Sequence, residues 1–420
     1  MTLIIKMNIY KDAQKIISEA ISENMPEKAV KKALERRKFN SPYLIAIGKA
    51  AWNMAKAAHE TLSERGEKIK KGAVITKYKH SKGALPNIEI YEAGHPILDE
   101  NGVIATERCI KLAESLEEND ELLFLISGGG SALFEKPANG LSLLDIQEIT
   151  NELLFCGANI IEINMIRKRL SAVKAGRFAK IVAPAKIFSI ILSDVLGDRL
   201  DSIASGPVSP DNSTVQEAAQ IIKKYNLKLN ETQSKRLSEE TPKEAPNSEA
   251  VIIGSVRSLC DSASKTAKKL GYTPSIITTS LDCEAREAGR FLAAIARDLN
   301  NDVPRAIILG GETVVNIKEK SENAKGGRNQ ELILAALGGI DGLKNTLIFS
   351  LGSDGTDGPT DAAGAICCGE TANKARSLGI DINAALAQHN SYNALKDMDA
   401  LLFTGPTGSN INDLSVILKF

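Results

Sequence analysis

The sequence predicts an α/β protein of two domains, each built on a mainly parallel sheet. Short apolar runs bounded by Gly, Ser or Asp recur along the chain, and stretches of helical periodicity separate many of them. The length, 420 residues, also exceeds the roughly 250–300 residues that one core usually supports.

The runs at 44–47, 73–76, 122–126, 187–192, 251–253, 275–278, 306–309 and 347–349 read as buried strands. Across 255–270, Val256, Leu259, Cys260, Ala263, Ala267 and Leu270 fall on one helical face. Strands and helices alternating at this length imply right-handed βαβ units. The charged stretch 230–248, with Pro242 and Pro246, reads as an inter-domain linker or exposed crossing, which sets the domains at 1–238 and 239–420. The last run, 416–418, reads as a strand that returns to either sheet, the N-terminal one included.

Composition narrows the class of function. Lys+Arg 52 against Asp+Glu 52 gives no basic excess for a nucleic-acid or anionic-membrane partner. An aromatic content of 4% is too low for base-stacking platforms. Six cysteines without C-x-x-C spacing read as buried free thiols in a reducing compartment. The apolar run in MTLIIKMNIY is too short for a signal peptide, and Met7 is an alternative start. No stretch approaches the ~18 apolar residues of a membrane span, so a soluble, cytoplasmic protein is expected.

Segments rich in Gly, Ser and Asp follow the strand runs: IGKA, ISGGGS and LSDVLGD in the first half, IIGS, LGGET and LGSDGTDG in the second. Ligands of parallel α/β sheets bind beyond the carboxyl ends of the strands. Two such rims predict an active site in a cleft between the domains.

Ser127, Gly128, Gly129, Gly130 and Ser131 lead out of a strand, as either a nest of amides for a phosphate or a tight turn. The spacing fits neither a Walker A loop nor G-x-G-x-x-G. Lys49 follows Gly48 at the mouth of the first strand, where an ammonium can meet an anionic substrate or lie solvated. His95, in Ala93-Gly94-His95-Pro96, is the one histidine in a clear loop motif, and no H-E-x-x-H exists. Asp194 and Asp198 supply carboxylates to hold Mg²⁺ or accept a hydroxyl proton, or else to cap a turn.

Gly310, Gly311 and Glu312 form a second glycine turn, and Arg328 opens a predicted helix after Gly326 and Gly327. In the run from Ser350 to Ala365, Asp354, Asp357 and Asp361 crowd among glycines that permit positive φ. Crowded carboxylates need a cation or hydrogen-bond donors, unless the segment is a solvated turn. No Ser-His-Asp order or nucleophile elbow appears.

Together GKAAW, AGHPILDE, LISGGGSALFEKP, ILSDVLGD, IASGP, LGGETVV, KGGRNQE, SDGTDGPTDAAGA and TGPTGSNINDL resemble the glycerate 2-kinases of archaeal and bacterial type that carry a C-terminal MOFRL domain. The resemblance spans most of the chain. It implies ATP-dependent phosphorylation of D-glycerate to 2-phosphoglycerate with Mg²⁺ or another divalent cation, in a monomer or homodimer. The family's essential lysine and arginine match Lys49 and Arg328, with Asp194 a third catalytic candidate and His95 a substrate contact. Asp194, Asp198, Asp354 and Asp357 are then candidate metal ligands, and the two glycine segments candidate ATP contacts. Arg199 departs from the family, where a second acidic residue often stands. Members also carry the name hydroxypyruvate reductase; that activity, or a non-catalytic phosphometabolite binder, is the alternative. The choice of the 2-OH over the 3-OH rests on the resemblance alone.

Overall fold

The computed structural model describes residues 8–35, 37–300, 302–317 and 324–420. Two compact units result: Pro26–Ile253, and the residues up to Met25 together with Gly254–Phe420. The N-terminal apolar run falls on residues 1–7, outside the described residues.

The first unit carries a sheet of β1 (Tyr43–Ile47), β2 (Gly72–Lys77), β3 (Ile88–Ala93), β4 (Glu121–Ile126), β5 (Lys186–Leu192) and β6 (Ser248–Gly254), in the order β3-β2-β1-β4-β5-β6. β1 to β5 pair in parallel. β1 is buried along its whole length, as its unbroken YLIAI run requires between two neighbours. Phe134, just past a short helix at Gly130–Leu133, packs edge-on to Phe178 at 5.0 Å and against Phe124 of β4 at 5.9 Å. These rings anchor the end of the glycine segment to the core.

The second unit holds β7 (Thr273–Leu281), β8 (Arg305–Gly311), β9 (Thr346–Gly352), β10 (Gly364–Cys368), β11 (Leu401–Leu402) and β12 (Asp413–Lys419), in the order β11-β10-β9-β12-β8-β7. Here the expectation of parallel strands holds only for β7 and β8. β12 inserts antiparallel between β8 and β9, and β10 and β11 continue antiparallel. The final run therefore lies inside the second sheet rather than returning to the first. The amphipathic face expected at 255–270 is seen in the helix Val256–Lys269, which buries Val256, Leu259, Cys260, Ala263 and Ala267.

The stretch 230–248 is not a linker. Asn230 and Gln233 form a capping box on the helix Glu231–Leu237, the Gln233 amide donates to Asp145 at 2.8 Å, and Thr241 donates to Asp211 at 2.9 Å. Its charges are used within the first unit, and the division falls at Ile253, after most of β6. All six cysteines are free thiols, but Cys156 and Cys283 are exposed rather than buried. Among the described residues no helix is long and apolar enough to cross a membrane.

Candidate active site

In the first sheet the strand order reverses between β1 and β4. Open α/β sheets bind ligands beyond the carboxyl ends of the strands at such a point. Ile47 pairs with Ile126, so the loops that carry Lys49 and Ser127 leave the sheet side by side. The Ser127 N–H donates to Ile47 O at 2.9 Å, and the Lys49 N–H to Gly128 O at 2.9 Å. The Ala50 N–H donates to Ser127 Oγ at 3.1 Å. Gly48 has φ 112°, and a Cβ there would stand 2.3 Å from Ser127 O, so only glycine fits.

The same close approach gathers the other predicted groups. A Cβ on Gly129 would lie 2.9 Å from His95 Cδ2 and 3.3 Å from Lys49 Cγ, and one on Gly128 would lie 2.4 Å from Asp194 Oδ2. Lys49, His95, the glycine loop and Asp194 thus converge at one edge. Gly130 and Ser131 open the short helix behind it. Burial, with Lys49 next in effect, pushes His95 down to about 4, so its imidazole is neutral at pH 7. Asp198 stands in the left-handed region at φ 54°, and its Oδ1 is buried without a hydrogen-bond partner.

In the second unit the carboxyl ends of β8 and β9 meet the start of β12, where Asp413 pairs with both Gly311 and Gly352. Arg328 begins the helix Arg328–Leu337 and grips Asp413 with Nε at 2.6 Å and Nη2 at 3.0 Å. Its Nη1 donates to Glu312 at 2.7 Å. A guanidinium has five N–H groups, so one on each terminal nitrogen is left for a ligand. Burial outweighs the guanidinium and holds Asp413 up at about 7. A cavity of about 550 Å³ lies beside Arg328, lined also by Val314, Ile317, Pro359, Glu331 and His389.

Asp357, expected as a metal ligand, turns onto this helix instead. Its Oδ1 accepts the Asn329 N–H at 3.1 Å and its Oδ2 the Gln330 N–H at 2.9 Å. Gly327 at the N-cap has no side chain to do this, and a Cβ there would stand 2.2 Å from Asp357 Cγ. Asp357→Ala should leave two buried amides unpaired and cost about 1–3 kcal/mol or more, read by chemical denaturation. An unchanged unfolding midpoint would remove its capping role. Asp354 accepts the Thr356 N–H at 3.0 Å in a tight turn, and Asp361 accepts from Tyr392 OH at 2.6 Å. The carboxylates of this segment have separate donors.

Asp413 was not singled out in the sequence, although it stands next to last in the TGPTGSNINDL motif. Its role arises only when β12 brings it between two other strands. Among the described residues no three His, Cys, Asp or Glu side chains gather as a metal cage. Mg²⁺ commonly takes one or two carboxylates and completes its shell with water and phosphates. The unpartnered Oδ1 of Asp198, on the loop of Asp194, fits that mode.

A family model described as a domain of unknown function (DUF4147) matches residues 12–238, and the MOFRL family matches residues 305–413. A D-glycerate 2-kinase of Thermotoga maritima is 50% identical over 97% of this chain and 98% of its own length. The chain belongs to the glycerate 2-kinase family. A glycerate 2-kinase of Pyrococcus horikoshii is 40% identical, covering 99% of this chain and 98% of its own. The crystal structure of a Thermotoga maritima glycerate kinase superposes with a TM-score of 0.93 at 50% identity, covering 98% and 99% of the two chains.

Proposed function

We propose that this protein phosphorylates D-glycerate with ATP, forming 2-phosphoglycerate and ADP, in the cytoplasm. The observation that carries this reading is Lys49 beside Gly129 and His95 at the point where the strand order reverses. Phosphoryl transfer needs positioning and positive charge more than covalent help. In this reading the Ser127–Ser131 loop takes phosphate oxygens, and Lys49 meets negative charge on the transferring group. Gly310 and Gly311, expected from the sequence to contact the nucleotide, lie instead inside β8, where a Cβ would meet Cys260 Sγ at 2.6 Å and Leu281 O at 2.1 Å, so their bareness serves packing within the second unit. Arg328, with two N–H groups left over, stabilises charge that grows in the transition state. Neutral His95 orients the glycerate as a hydrogen-bonding group rather than as a cation.

Asp194 and Asp198 would hold Mg²⁺, which when bound neutralises phosphate charge. Asp194, against the glycine loop, would also accept the proton of the attacking hydroxyl. The strand order of the first sheet is also that of dinucleotide-binding folds, which bears on the alternative, hydroxypyruvate reduction. The turn after β1 reads Gly48-Lys49-Ala50 in place of G-x-G-x-x-G, and this favours the kinase.

Incubation with ATP, Mg²⁺ and D-glycerate should release ADP only when glycerate is present. NADH with hydroxypyruvate should show no oxidation. The reverse pair of results would replace the kinase with a reductase.

A further inference from the structure

A second lysine lies directly behind the glycine loop. Lys174 is fully buried. Its Nζ donates to Ser131 O at 2.9 Å and to Phe134 O at 3.1 Å. These carbonyls sit on and just past the helix Gly130–Leu133, a single turn too short to be stable alone. Glu135 is also buried, and its Oε2 stands 3.6 Å from Nζ. That is too long for a hydrogen bond, and both Glu135 oxygens lack a hydrogen-bond partner. Glu135 therefore balances the charge while the ammonium spends its donors on the two carbonyls.

The surrounding backbone is held in an uncommon shape. Ala175, Ala204 and Ser205 have φ of 55°, 50° and 62°, in the left-handed region that non-glycine residues avoid. Ala175 N–H donates to Ser205 O at 3.1 Å and Gly176 N–H to Gly206 O at 2.7 Å, while Ser205 Oγ and Ser131 Oγ lie 3.0 Å apart. The segments 171–176 and 203–206 thus form one frame, and Lys174 is its charged link to the glycine loop.

We infer that Lys174 is a positioning residue that fixes the Ser127–Ser131 loop in its ligand-binding shape through two carbonyls of the following turn. Burying an ammonium is costly, and burial pushes Lys174 down to about 8. A methionine would fill most of the same space without that cost, so packing alone gives no reason for a lysine here.

The inference rests on reading the loop as the phosphate site, and the test separates the two. Lys174→Met should raise KM for ATP at least tenfold while KM for D-glycerate stays within twofold. A residue that only supported the fold would lower the amount of active enzyme and leave both KM values unchanged. Because Lys174→Met strands Glu135 as an unpaired buried charge, the double variant K174M/E135Q is measured beside it. It should fold with a thermal midpoint near that of the native protein and show the same rise in KM for ATP. Wild-type KM for ATP in the double variant overturns the positioning role. Gly129→Ala, which forces a side chain onto φ 85° against His95, tests the loop itself. If it raises KM for ATP and the lysine variants do not, only the role of Lys174 fails. If neither does, the phosphate reading of the loop fails with it.

Discussion

Arg328→Lys is expected to lower kcat about 10²–10³-fold, nearly as far as Arg328→Ala, although it keeps the positive charge. The planar fork spans both oxygens of Asp413 while Nη1 reaches Glu312. A single ammonium cannot hold two carboxylates in these directions and still offer donors to a ligand. Both variants should remain folded. Asp413 already sits at about 7, so losing the guanidinium leaves it protonated rather than charged and alone. If Arg328 acts on the transition state, kcat falls; if it grips the glycerate carboxylate in ground and transition states alike, KM for glycerate rises instead. The fall in kcat is the expected outcome, because the nitrogens left over lie at the start of a helix whose dipole favours an anion. Steady-state kinetics decide, and wild-type constants for Arg328→Lys would reduce the residue to a structural clamp on Asp413.

Lys49→Ala is expected to cost a similar factor in kcat, about 10²–10³, with the fold intact. The backbone bonds of residue 49, its N–H donating to Gly128 O and its carbonyl accepting from His80 Nδ1 at 3.2 Å, do not depend on the side chain. The substitution removes the side chain beyond Cβ, the ammonium included. Circular dichroism should match the native protein while turnover collapses; near-normal turnover would end the catalytic assignment of Lys49.

How far the sequence carried these residues depended on what kind of feature placed them. β3 of the first unit, which alternates as IEIYEA and is fully buried only at its ends, was missed. β1, β2, β4 and β5 were legible because a parallel strand buried on both faces is an unbroken apolar run, as in β1 and β4. Their loops followed from the strands, so Lys49, the glycine loop and Asp194 could be named before their convergence was seen. β10 was hidden because it begins at Gly364, inside a run read as a single loop, and its small residues give little apolar signal. The insertion of β12 was equally hidden, since the sequence shows that a strand exists but not which edge or gap it fills.

Asp357 shows the other limit. A carboxylate in a glycine-rich turn is written the same way whether it meets a cation or helix amides 28 and 27 residues earlier in the sequence. Gly327, too small to cap its own helix, was the one available hint. The stretch 230–248 misled for a related reason. Dense charge and two prolines suggest a solvated crossing, but here the polar groups cap a helix and pair with Asp145 and Asp211.

The proposed reaction transfers phosphate to the 2-hydroxyl of D-glycerate. The most direct measurement is the product itself, read by adding enolase, which consumes 2-phosphoglycerate and not its 3-isomer. With ATP, Mg²⁺ and D-glycerate, phosphoenolpyruvate should appear at the rate of ADP release without any phosphoglycerate mutase. ADP release that yields phosphoenolpyruvate only after mutase is added would contradict the claim, placing the phosphate on the 3-hydroxyl.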